Sequence, residues 1–198
     1  KKMLHLILQF MENKRGSDFM RKKAVPVGIE DFKELIQEGY YYIDKTLLID
    51  EMLMNKSKVT LFTRPRRFGK TLNMSMLRYF FDVKDKEENK KLFENLKIYN
   101  SEYMVEQGKY PVIFISLKDL KGNTWEENFM LIKKHIKNLY MEFYDLKDKL
   151  NPIFKNDFEK IVMEKEEGDW IYSLKNLSNY LYEYYRKSVI ILIDEYDA

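Results

Sequence analysis

Apolar and polar positions change their period along this chain, and each change marks an element. After residue 25, Pro26 and Gly28 punctuate a short extended stretch. Phe32, Leu35 and Ile36 share one helical face, which predicts a helix over 30–38 stopped by Gly39. The aromatic run 40–43 reads as a short strand or extended segment. Asp44 is placed to cap a second helix, on which Leu47, Leu48, Met52 and Leu53 are apolar. The run 59–63 (Val59, Thr60, Leu61, Phe62, Thr63) is short, apolar and β-branched, as a buried parallel strand requires. A turn over 64–69 leads into a helix over 71–81, where Leu72, Met76, Leu77, Phe80 and Phe81 recur at helical spacing.

Lysine-rich helical segments continue to about residue 95, and 111–117 is a second buried strand. Long helices are predicted over 125–144 and 170–186, with a shorter one over 153–163. A last strand, 189–193, runs directly into Asp194 and Glu195. Strands separated by helices predict an α/β fold, a parallel sheet between layers of helices.

Composition narrows the function classes. The 198 residues are 45% hydrophobic and 34% charged, which suits a folded domain rather than a disordered chain. A net charge of +3, from 35 basic and 32 acidic side chains, gives no dominant nucleic-acid footprint. The absence of cysteine excludes disulfides and thiolate metal sites and fits a cytoplasmic protein. No run approaches the roughly 20 apolar residues of a membrane span. The apolar stretch from Met3 to Phe10 contains His5 and Gln9 and lacks a cleavage site, so it does not read as a signal peptide. Residues 1–22 read as a leader or flexible upstream extension, and 23–198 as one domain.

Two motifs carry chemistry. Gly69-Lys70-Thr71 falls where a strand passes into a helix, the setting in which unpaired N–H groups and the positive helix end face an anion. There Gly69 admits close backbone approach, Lys70 reaches the β- and γ-phosphates, and the Thr71 hydroxyl is a magnesium ligand. The first glycine of the usual phosphate-loop pattern is replaced by Arg64. The second motif is the strand ending in Asp194-Glu195, which delivers two carboxylates to the carboxyl edge of the sheet. In that setting Asp194 holds magnesium and Glu195 polarises the attacking water. A chance triplet is the plain alternative for the first motif alone, and a solvated turn for the second; their order and context favour nucleotide chemistry.

Val27-Gly28-Ile29-Glu30-Asp31-Phe32, Tyr41-Tyr42-Ile43-Asp44-Lys45-Thr46, Arg64-Pro65-Arg66-Arg67-Phe68-Gly69-Lys70-Thr71 and Leu192-Ile193-Asp194-Glu195-Tyr196-Asp197 resemble the bacterial AAA-ATPase-like family over about residues 24–198. Members of that family are often fused to a C-terminal PD-(D/E)XK-type nuclease domain. The resemblance implies a P-loop NTPase of the additional-strand type, related to AAA+ and signalling NTPases. It makes Arg64, Pro65, Arg66, Arg67, Phe68, Gly69, Lys70 and Thr71 the nucleotide loop, Thr71 and Asp194 the Mg²⁺ ligands, and Lys70 and Glu195 the catalytic residues. ATP and Mg²⁺ are the implied cofactors.

In that fold a later strand lies between the loop-bearing and acid-bearing strands. This chain is therefore expected to be an incomplete N-terminal portion, with a gap in its sheet and little ATPase activity of its own. The full protein is expected to be an ATPase acting on nucleic acid, as regulator of an attached nuclease, and possible as an oligomer. The alternative is a nucleotide-gated switch with little hydrolysis, and the plainest option is a fold that no longer binds nucleotide. Asp44-Lys45-Thr46 reads either as a helix cap with a surface lysine or as a contact near the nucleotide. Arg64, Arg66 and Arg67 favour a nucleotide or structural role over nucleic-acid binding. The tyrosines from Tyr180 to Tyr185 favour a half-buried helix over a base-stacking platform. His5 and His135 are too isolated to suggest zinc.

Overall fold

The computed structural model describes residues 23–63, 68–118, 120–166 and 168–195. The expected leader over 1–22 and four residues of the expected nucleotide loop (Arg64, Pro65, Arg66 and Arg67) lie outside them.

The described chain forms α1 (Phe32–Gln37), α2 (Leu47–Asn55), α3 (Lys70–Phe81), α4 (Lys86–Lys91), β1 (Val112–Ser116), α5 (Trp125–Glu142), α6 (Pro152–Val162), α7 (Ser173–Tyr185) and β2 (Ile190–Asp194). Their ends follow local chemistry. Asp31 caps α1 by accepting from Glu34 N, and Gly39 just beyond the helix has φ 71°. Thr124 accepts from Glu127 N to start α5, while the Glu127 carboxylate accepts in return from Asn123 N. Asn151 caps α6, with Pro152 at its first position.

β1 and β2 pair in parallel, with Val112 opposite Ile190 and Ser116 opposite Asp194. Because side chains alternate along a strand, this pair feeds two cores. Val112 and Leu192 join Phe32, Ile49, Met76, Leu77, Phe80 and Phe93 on the α3 face. Ile113 and Ile115 join Ile136, Tyr140, Phe158, Leu177 and Leu181 under α5, α6 and α7. The architecture is thus a small parallel sheet between helices, the α/β arrangement expected.

The expectation of a strand over 59–63 needs correction. Residues 59–63 form no strand, and Val59 and Leu61 are 86% and 63% exposed. Apolar, β-branched composition favours an extended backbone, but a strand also needs a neighbour for its N–H and C=O groups. No described strand pairs with this segment, and of its residues only Phe62 packs against the core.

Candidate functional site

α3 begins at the candidate phosphate turn. Gly69 holds its N-cap position with φ 74° and ψ 29°, a left-handed conformation that favours glycine, and its carbonyl accepts from Asn73 N at 3.0 Å. Lys70 is the first helical residue and is half-buried; Thr71 follows it, and Phe68 before the turn is 56% exposed. The helix carries no acidic residue in its first turn, so nothing on it neutralises the positive end.

Across from this turn, β2 ends on Asp194, which is only 3% exposed and accepts no side-chain hydrogen bond or ion pair among the described residues. Glu195 follows with φ 55°, a left-handed conformation costing about 1–2 kcal/mol in a non-glycine residue, which breaks the strand's alternation at that point.

Lys70, Asp194 and Glu195 line one groove, together with Thr60, Leu61, Phe62, Asn73, Met74 and Ile193. Its volume of about 50 Å³ accommodates small, hydrated species, whereas a pocket for a whole small molecule is roughly 300 Å³ or more. Thr71 does not line it. The donor set of carboxylate and hydroxyl oxygens suits a hard cation. Magnesium characteristically takes only one or two carboxylates and completes its octahedron with waters and phosphate oxygens.

A polar framework holds the turn from beneath. Asp31, besides capping α1, accepts from the hydroxyls of Ser75 (3.0 Å) and Tyr79 (2.9 Å) on α3. Ser75 Oγ in turn accepts from the buried Phe32 N–H at 2.9 Å. Burial, with the bond to Asp31, pushes the Tyr79 phenol up to about 12. Asp44 does not cap α2 as expected. It closes a local turn, its Oδ1 accepting from Thr46 N (2.9 Å) and Thr46 Oγ1 (2.7 Å). Its Oδ2 accepts from Lys97 N (2.8 Å), and Thr46 Oγ1 accepts from Ile98 N (3.2 Å). Burial opposes ionisation of Asp44, but these donors outweigh it and hold the carboxyl below its ordinary range. Sequence reading missed both networks, because their partners lie 43 to 53 residues apart.

The other candidates fall elsewhere. Tyr180 is buried in the α7 core while Tyr182 and Tyr184 are 55% and 39% exposed, the half-buried pattern of an amphipathic helix. Among the described residues no three His, Cys, Asp or Glu side chains cluster as a metal site.

A family model described as "Predicted AAA-ATPase" matches residues 26–198. An "Uncharacterized protein in vnfD 5'region" of Azotobacter chroococcum mcd 1 is 36% identical over 83 residues, a stretch covering 41% of this chain and 15% of that protein. No solved structure matches. No helix among the described residues is long and apolar enough to cross a membrane.

Proposed function

Because the chain belongs to the predicted AAA-ATPase family, we propose that it binds ATP with magnesium and that the full-length protein hydrolyses it. The observation that carries this reading is the convergence on one groove of Lys70, from the start of α3, and Asp194 and Glu195, from the end of β2. A helix N-terminus with a lysine favours a phosphate, and carboxylates lining the same groove favour a divalent cation.

In this reading the segment 64–71 would hold the phosphate chain. The Lys70 ammonium neutralises charge on the β- and γ-phosphates. Thr71 and Asp194 would hold Mg²⁺, which when bound spreads negative charge off the transferred phosphoryl group. Glu195, freed from strand alternation by its left-handed backbone, orients a water and accepts its proton. Catalysis of this kind is positioning and electrostatics, so small displacements of these side chains matter more than their number.

The test is calorimetric titration of full-length protein with Mg·ATP, comparing wild type with Lys70→Ala. Micromolar binding that falls by about tenfold or more in the variant supports the reading, that loss being what one charge-assisted contact contributes. A folded wild type that binds no Mg·ATP refutes it. Turnover separates two uses of the site. Hydrolysis accelerated by DNA or RNA fits regulation of a nuclease or other nucleic-acid transaction, and tight binding with slow, unstimulated hydrolysis fits a nucleotide-gated switch.

A further inference from the structure

The segment before α2 brings a second cation to the phosphate turn. The Lys45 Nζ stands 3.8 Å from the point where a Cβ on Gly69 would lie. Backbone on both sides of Lys45 is pinned. On one side the Tyr42 hydroxyl accepts from Lys45 N at 3.2 Å and donates to Met76 Sδ on α3 at 3.4 Å. On the other, the fully buried Thr46 and the Asp44 carboxylate tie the chain to Lys97 N and Ile98 N. Hydrogen-bonded groups, the buried Thr46 among them, thus fix the backbone of an exposed lysine against both α3 and the segment after α4.

That lysine has no carboxylate partner among the described residues. Among the described residues Lys45 and Lys70 both lack an ion pair, whereas Lys33, Lys137 and Lys155 each close on an acid. A second ammonium beside a turn that already carries Lys70 and the positive end of a 12-residue helix is electrostatically unfavourable while the site is empty. The arrangement becomes favourable once a polyanion lies there.

We propose that Lys45 is a second phosphate-binding cation of this turn, contacting phosphoryl oxygens of the bound nucleotide, with Asp44 and Thr46 as its positioning residues. The proposal rests on the ATP reading above. It gives Asp44-Lys45-Thr46 a single purpose: the flanking pair anchors the backbone, and the lysine reaches across to Gly69.

The experiment is Mg·ATP titration of full-length wild type, Lys45→Ala, Lys45→Arg and Lys70→Ala, each with its melting temperature. Lys45→Ala is expected to weaken binding about tenfold to hundredfold, with Lys45→Arg restoring most of it and all melting temperatures unchanged. If Lys45→Ala does not fold, Lys45→Gln, which keeps most of the apolar stem, replaces it and is expected to show the same loss. Unchanged affinity in Lys45→Ala, while Lys70→Ala loses binding, overturns the inference and leaves ATP binding standing. Equal losses in the Ala and Arg variants, accompanied by lowered melting temperatures, also overturn it, because packing rather than charge would then be responsible. No binding by wild type removes the ATP reading and this inference with it.

Discussion

Asp82 ends α3 opposite the phosphate turn, and its protonation gives the fold a pH dependence that can be isolated. It is 7% exposed, and burial pushes its carboxyl from an ordinary 3.8 up to about 6, against the opposing pull of Lys84 N–H and of the Lys84 and Arg78 charges. Its position at the C-terminal end of a helix also disfavours a negative charge. The folded chain therefore keeps this proton to higher pH than the unfolded chain does. Between about pH 4 and 6 the folded state binds more protons, so this group's contribution to stability falls as pH rises through that window. Asp82→Asn has no proton to lose, and its Oδ1 can still accept from Lys84 N, a bond of 3.0 Å in the wild type. At about 1.4 kcal/mol per pH unit over roughly 1.5 units, the variant should gain about 2 kcal/mol on wild type between pH 4.5 and 7.5. Urea denaturation of both proteins at several pH values measures that difference, and groups unaffected by the substitution cancel from it. A difference that is flat, or that shrinks as pH rises, would refute the reasoning.

Two further substitutions probe the support of the turn. Ser75→Ala leaves the buried Phe32 N–H without an acceptor and removes a donor to Asp31; a loss of about 1–3 kcal/mol is expected in denaturant melts, and a loss under about 0.5 kcal/mol would show that the network is dispensable. Gly69→Ala forces a side chain into φ 74°, at a cost of about 1–2 kcal/mol, with its Cβ only in ordinary contact with Lys45 Nζ. A fall in melting temperature, together with weaker Mg·ATP binding, is the expected outcome; unchanged stability would show that the turn relaxes to another conformation.

Much of the fold was legible because it rests on local periodicity. The spacing of Met76, Leu77, Phe80 and Phe81 marked α3, and four apolar residues before Asp194 marked β2. That Lys70, Asp194 and Glu195 would share a groove followed from a strand-to-helix turn and an acidic strand end standing in the right order. Residues 59–63 misled because strand status is a relation between two segments, and composition reports on only one of them. Asp44 misled for a related reason. Two residues before a helical turn it reads as a cap, but its second oxygen is taken by Lys97 N, 53 residues away. The proximity of Lys45 to Gly69 likewise arises from packing of the chain before α2 against α3, for which no sequence spacing exists.

The parallel pair carries a consequence for folding fidelity. In a sheet with one wet face, a register slip is penalised at once by burying polar side chains. Here Val112, Ile113, Phe114 and Ile115 are all apolar, and so are Ile190 to Ile193 opposite them, so hydrophobicity alone distinguishes poorly between neighbouring alignments. The discriminating positions are at the end of the ladder, where Ser116 meets Asp194. A slip of one residue would turn Asp194 to the opposite face of the sheet and bring Ile193 or Glu195 into its place. Correct alignment and correct placement of the acid are therefore one event, and a chain that mispairs these strands loses the groove's carboxylate even if both cores still close.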